Sequence, residues 1–369
     1  MTVTGSEPIL SPSPPARFGK FELLALLARG GMAELHLARL SGPGGFRKTV
    51  VLKRIRPELL GDPDNLALFL DEARLGAAFE HPNLVATVDA GDEEGRPWIA
   101  LEWLRGENLR TVLRTASARG LILPRPHAIQ IALGMLLGLH HAHEARDPDG
   151  APLDVVHRDV SPHNVIVTFE GGVKVVDFGI ARATNRRRRP TALGIVRGKR
   201  GYMSPEQCRG RPANHPASHP VDRRTDLFST GAVLFELLTG RKLYNGDDDL
   251  CVMGRILDEP APSVRAFDPR LPVALDTIVR RALEKDPAAR FPTAMAMARE
   301  LEAVARAERW PLSTIALGEY VTWLFGAADA ACPSSPPTLP APEDDSFRAP
   351  EPESVIEVET DYLDFASEK

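Results

Sequence analysis

The sequence predicts an α+β fold of two lobes, a small β-rich N-terminal lobe with one helix and a larger helical C-terminal lobe, with a cleft between them. Three observations carry this. Residues 21–104 hold short apolar runs separated by glycine turns. Beyond Gly106 the apolar spacing changes to that of amphipathic helices. One strand-like patch, residues 155–181, interrupts the helices and carries polar residues at its turns.

The elements follow in order. Residues 21–40 (FELLALLARGGMAELHLARL) read as two strands joined at Gly30-Gly31, and residues 48–55 (KTVVLKRI) as a third. Residues 64–79 have apolar positions 66, 69, 70, 73 and 77 behind an acidic start, which predicts a helix. Residues 84–104 read as a hairpin with a glycine-containing turn. Helical periodicity then covers 126–145, 225–239, 271–284 and 293–307. The organisation expected is a disordered leader over 1–16 and a folded domain over 17–310, with lobes 17–105 and 106–310. A further helix over 311–326 and a Pro-rich acidic disordered tail over 327–369 complete it.

Composition narrows the function. Of 369 residues, 43% are hydrophobic and 26% charged, which suits a globular core. Net charge is −5, and residues 333–369 alone carry −8, so the rest of the chain is only +3. A nucleic-acid binder would show a larger, clustered basic excess. Cys208, Cys251 and Cys332 are far apart with no CxxC pair, which argues against a disulfide framework or thiolate zinc site. The first twenty residues lack the charge and apolar run of a secretory signal, and no stretch of about 18 apolar residues occurs. A cytoplasmic protein, off the membrane, is expected.

The chemistry lies in an ordered set: His157-Arg158-Asp159, Asn164 five residues after the aspartate, then Asp177-Phe178-Gly179. An aspartate can accept a hydroxyl proton, and an amide and a second carboxylate offer hard oxygens to Mg2+. Each residue alone would pass for a turn residue; the set in this order is hard to reach by chance.

These motifs resemble those of the protein kinase superfamily, in particular bacterial eukaryotic-like serine/threonine kinases, over about residues 18–306. The resemblance implies a bilobal kinase fold and transfer of the γ-phosphate of ATP to Ser or Thr of protein substrates. It implies Mg2+ as the metal, with Mn2+ able to substitute. Lys53, ending VVLK, resembles the lysine that holds the α- and β-phosphates, and Glu72 its ion-pair partner. Asp159 resembles the catalytic aspartate, and Asn164 and Asp177 the metal ligands. Residues 101–104 (LEWL) resemble the hinge, with Glu102 and Leu104 acting through main chain. Val51 and Leu35 above and Ile166 below would sandwich the adenine; Leu27 and Asn108 join the nucleotide-contacting set. Ser204-Pro205-Glu206, Asp226 with Gly231, and Lys285-Asp286-Pro287 with Arg290 resemble structural motifs of the large lobe. Small-molecule phosphotransferases usually lack these.

Three departures stand out. The phosphate loop, Ala28-Arg29-Gly30-Gly31-Met32-Ala33, has alanine at two positions where the family has glycine, a residue that admits positive φ and close backbone approach. Ser161 replaces a lysine that touches the γ-phosphate. Lys199 replaces a threonine expected to face position 161, so the charge is expected to have been relocated rather than lost. The rival class is a pseudokinase scaffold that binds nucleotide weakly or not at all. Retention of Lys53, Glu72, Asp159, Asn164 and Asp177 together argues against it. Residues 183–200 have the length of an activation loop, with Thr191 and Thr184 as candidate autophosphorylation sites. His215 and His219 lie among prolines and read as loop residues, and His140, His141 and His143 as structural. No oligomeric state is legible.

Overall fold

In the computed structural model the described residues are 16–147, 149–178, 200–210, 221–246 and 248–326. The expected leader and tail, Thr184, Thr191, Lys199, His215 and His219 lie outside them.

The N-terminal lobe is a six-stranded antiparallel sheet of β1 (Arg17–Phe18), β2 (Phe21–Arg29), β3 (Ala33–Ser41), β4 (Arg47–Ile55), β5 (Thr87–Glu93) and β6 (Arg96–Glu102), in the order β1-β2-β3-β4-β6-β5. Alternation along β4 assigns its two faces. Val50 and Leu52 join Phe18, Phe21, Ala38, Trp98 and Ala100 in an outer cluster, where Phe21 meets Trp98 edge-on at 4.8 Å. On the opposite face Ala33, Ile55, Phe69 and Ile99 form a second cluster under α1 (Pro63–Ala77). Asp62 caps that helix by accepting from the Asp64 N–H, with Pro63 at its first position. The β5–β6 turn has Glu94 and Gly95 at φ 53° and 77°, two successive left-handed residues as in a type I′ hairpin.

The C-terminal lobe opens with a three-stranded sheet, β7 (Gly106–Asn108), β8 (Val165–Thr168) and β9 (Val173–Val175). Around it, among the described residues, are α2 (Leu109–Ala118), α3 (Arg125–His143), α4 (Pro205–Arg209), α5 (Arg224–Thr239), α6 (Asp249–Asp258), α7 (Val273–Ala282), α8 (Ala294–Ala307) and α9 (Thr314–Phe325). Every residue of α5 from Thr225 to Thr239 is buried, so this helix is the axis on which the others pack. Helix α7 is shorter than its expected span because Pro272 stands at its N-cap. Gly171, in the β8–β9 turn, has φ 81°, and a Cβ there would lie 1.8 Å from the Thr314 carbonyl oxygen. The first turn of α9 therefore rests directly on that turn. Phe169 against Phe325, and Arg119 over Trp323, hold the helix along its length.

Among the described residues, no helix is long and apolar enough to cross a membrane.

Candidate active site

The cleft between the sheets holds an elongated cavity. Leu27 and Val51 line its roof, residues 101–104 its back, and Asn108, Ile166 and Asp177 its floor. Thus Leu27, Val51, Glu102, Leu104, Asn108, Ile166 and Asp177 line one cavity. Val85, Gly106 and Val176 also line it and were not singled out from the sequence. Val85 carried a usable signal, since it belongs to the LVATV run that leads into the hairpin.

The glycine turn behaves differently from expectation. Ala28, Gly30, Gly31, Met32, Ala33 and Leu35 do not line this cavity. Ala33 and Met32 pack instead on Ile55 and Phe69. Leu35 shares a face with Val51 but lies opposite Lys53, two cross-strand pairs nearer the glycine turn. Neither Gly30 nor Gly31 takes positive φ, so conformational freedom is not the reason for glycine here. Gly30 instead closes the turn: its N–H donates to the Ala33 carbonyl at 2.8 Å, and a Cβ would sit 3.2 Å from that oxygen. Gly31 has open space on its Cβ side. The Arg56 N–H anchors the turn by donating to the Met32 carbonyl at 3.0 Å.

Glu102 is occupied through its side chain. Its carboxylate accepts from the Ala86 N–H at 2.7 Å and from the Lys174 ammonium, and its own N–H donates to the Ala86 carbonyl. The side chain is thus turned away from any ligand, consistent with a main-chain role for this residue.

Below the roof, the Lys53 ammonium donates to the Glu72 carboxylate, joining β4 to α1. Burial opposes the Lys53 charge, but Glu72, then Asp177, outweigh it and hold its pKa above the ordinary lysine value. Lys53, Glu72 and Asp177 therefore form one electrostatic group. Asp177 has φ 57°, a left-handed conformation that Asp tolerates better than most residues.

The segment carrying Asp159 hangs on α5. Asp226, fully buried, accepts from the backbone N–H groups of His157 and Arg158, each at 2.8 Å, and pairs with His143 Nε2 at 2.8 Å. Burial would raise its pKa, but His143 and His157 outweigh it and hold the carboxylate ionised. His143 is thereby explained as structural. Arg158 is held at φ 62°. The Asp159 N–H donates to His157 Nδ1, and Asn164 Nδ2 donates to the Asp159 carbonyl and to its Oδ2 at 2.8 and 2.9 Å. With its amide group spent on Asp159, Asn164 presents its oxygen elsewhere. The His157 ring packs on Phe178 at 4.6 Å and Phe178 on Phe79 at 4.9 Å, linking the Asp159 and Asp177 loops to the segment after α1. The phenylalanine of this stack, Phe79, was missed from sequence because it ends an expected helix and looks like ordinary core.

Two further carboxylates are buried nearby. Glu206 and Arg290 form a two-pronged ion pair with both distances 2.8 Å. Glu107, on β7, is almost fully buried, and one of its oxygens has no hydrogen-bond partner among the described residues. Burial pushes its pKa up to about 7, with Arg114 offsetting only part of the rise. The folded state then holds a proton that the unfolded chain releases near pH 4.5. Stability should fall as pH rises from about 4.5 to 7 and level off above. Glu107→Gln should flatten that slope. Thermal midpoints of both proteins between pH 5 and 8 check this, and parallel profiles would refute it.

An ion-paired lysine acted on by a cavity-lining carboxylate in left-handed backbone, together with a hydrogen-bonded Asp–Asn couple, defines the class of protein kinases. A family profile described as "Protein kinase domain" matches residues 25–301. The tyrosine-protein kinase MasK of Myxococcus xanthus is 39% identical over 92% of this chain and 50% of its own length. The serine/threonine-protein kinase PknB of Mycobacterium leprae is 34% identical over 78% of this chain and 43% of its own. This chain thus spans half or less of these relatives. Among solved structures, the PknI kinase domain of Mycobacterium tuberculosis superposes with a TM-score of 0.56 at 24% identity, covering 80% of this chain and all of that one, a likeness of fold. The chain belongs to the protein kinase family.

Proposed function

We propose that this chain is an ATP-dependent serine/threonine protein kinase that phosphorylates protein substrates and its own loop. The observation that carries this is the assembly of Lys53, Glu72 and Asp177 in one electrostatic group beside the Asp159–Asn164 couple. In a degenerate scaffold nothing would maintain that assembly, so the pseudokinase alternative is disfavoured.

Each group takes a role in the transfer. The cavity from Leu27 to Ile166 receives the adenine, with Glu102 and Leu104 offering main-chain groups. Lys53 steadies the phosphates, and Asp159 orients the acceptor hydroxyl and takes its proton. Asp177 and the Asn164 oxygen suit Mg2+, which commonly binds through one or two protein oxygens plus the substrate phosphates. When bound, the ion would neutralise phosphate charge. Ala28, Gly30, Gly31, Met32 and Ala33 remain candidates for contact with the phosphates through backbone amides.

Ser161 is 1% exposed, and its hydroxyl has no hydrogen-bond partner among the described residues. A buried unsatisfied hydroxyl is costly, which fits a position completed by another group. We assign that group to the Lys199 ammonium, standing in for the charge absent at 161. A lost charge-assisted contact is worth about 1.5–3 kcal/mol, so Lys199→Ala should slow turnover roughly ten- to a hundredfold. Parent-like turnover in that variant would refute the assignment.

Arg158 supports self-phosphorylation. Its Nε is buried without a partner among the described residues, and a loop phosphate would satisfy it. Serine/threonine choice rests on PknB and its like, whereas the name of MasK favours tyrosine. Phosphoamino-acid analysis with site mapping after incubation with ATP decides. Phosphothreonine at Thr191 or Thr184 is expected; phosphotyrosine alone would overturn the choice.

A further inference from the structure

A cluster of charge stands at the start of α2, outside the catalytic group. Arg110, two residues beyond the cleft-lining Asn108, points its Nη1 at Glu236 Oε1 over 3.4 Å. The Tyr202 hydroxyl donates to the other oxygen of Glu236. Lys242 follows two residues after Gly240, which ends α5. Its ammonium makes no hydrogen bond or ion pair among the described residues, although the side chain is half-buried.

The charges do not balance. Both oxygens of the one carboxylate are engaged, by Arg110 and Tyr202, and Lys242 is left without a pair among the described residues. After burial, repulsion from Arg110 is the larger influence on Lys242, attraction by Glu236 the smaller, and the lysine pKa is lowered. Neighbouring basic groups are bound elsewhere: Arg200 to Asp249, and Arg241 over the Phe267 ring. An anion brought to this spot would relieve the repulsion and meet both a guanidinium fork and an ammonium.

The location indicates what would bring the anion. Tyr202 ends the short 3-10 turn Arg200–Tyr202 just before α4, and Gln207 of α4 donates to the Arg158 carbonyl at 2.8 Å, next to Asp159 in sequence. The cluster is thus joined, through Tyr202 and the short segment from it to Gln207, to the residue that precedes Asp159. We propose that Arg110 and Lys242 form a binding site for an acidic residue of the protein substrate, making the chain selective for acceptor hydroxyls in acidic sequence. This rests on the kinase reading above. A basic residue would meet two cations and a Glu236 carboxylate whose oxygens are both already engaged, so acidic peptides gain and basic peptides lose.

The test uses the full chain and three serine peptides identical except for flanking Glu, Ala or Arg. Both kcat/KM and, with fluorescent peptides, equilibrium binding are measured. The parent should favour the Glu peptide over the Ala peptide about tenfold or more. Lys242→Gln should bring that ratio close to one, and Lys242→Glu should shift preference to the Arg peptide. Lys242 is half-exposed, so neither change endangers the fold, and a folded-state melting curve verifies it. Equal or better use of the Arg peptide by the parent, or a preference untouched in both variants, would overturn the site while leaving the kinase reading intact. Selective binding of the Glu peptide with no turnover on any peptide would uphold the site and overturn the kinase reading.

Discussion

Asp177→Asn should lower phosphoryl transfer about a thousandfold while leaving the fold in place. The substitution keeps the shape of the side chain and suits the φ of 57°, since Asn, like Asp, is tolerated in the left-handed region. Alanine would add about 1–2 kcal/mol of backbone strain at the same position, so loss of activity in Asp177→Ala would be harder to interpret. What Asn removes is charge. Asp177 is one of the two carboxylates acting on Lys53, and it lines the cavity opposite Val51. A metal-held phosphate is stabilised by several kcal/mol, and each 1.36 kcal/mol is a factor of ten in rate. Single-turnover transfer and calorimetry on the same samples check this. Undiminished transfer would remove Asp177 from the mechanism.

Arg290→Met should cost about 3–5 kcal/mol of stability, the range for breaking a buried ion pair on one side. Both side chains are essentially inaccessible to solvent. Besides Glu206, the guanidinium reaches the carbonyls of Glu284 at 2.8 Å and Arg224 at 3.0 Å, and it covers the Phe228 ring at 4.9 Å. Methionine keeps much of the volume but abandons Glu206, which still accepts from the Thr225 hydroxyl at 2.6 Å. Burial opposes the Glu206 charge, and bonds from Arg290 outweigh it to lower the pKa. The pair's contribution is therefore present above pH 4.5 and lost as pH falls through the lower folded pKa. At about 2–4 °C per kcal/mol, the midpoint of unfolding should drop by roughly 10 °C at neutral pH. The double change with Glu206→Gln should recover part of it, because no charge is then stranded. A drop of under 2 °C would mean the pair is dispensable. Activity should fall as well, since α4 also carries Gln207, bonded to the Arg158 carbonyl.

The polar site was legible because its residues sit in short ordered motifs on loops, where identity rather than packing is specified. Lys53, Glu72 and Asp177 form one electrostatic group, and Asn164 bonds to Asp159. Strands and helices with one apolar face were legible, as in β4 and α8. Short elements were not: α4 spans five residues and β7 three, too few for a period to register. The cavity wall was only partly legible, because Val85 and Val176 are ordinary valines until the chain folds and aims them at one space. The glycine turn misled for another reason. Its glycines suggested unusual φ, whereas the turn is set by the hydrogen bond from Gly30 to Ala33 and the anchor at Arg56. Charge balance around Glu236 was invisible, since Arg110, Lys242 and Tyr202 lie far apart in sequence.

The most direct measurement is transfer of labelled γ-phosphate from ATP to protein by the parent and by Asp159→Asn, each with Mg2+ and with chelator. Incorporation by the parent with Mg2+, falling to background in Asp159→Asn and on chelation, is the expected result. Equal incorporation by Asp159→Asn, or a parent that neither binds ATP nor incorporates label, would contradict an active kinase and leave a nucleotide-free scaffold in its place.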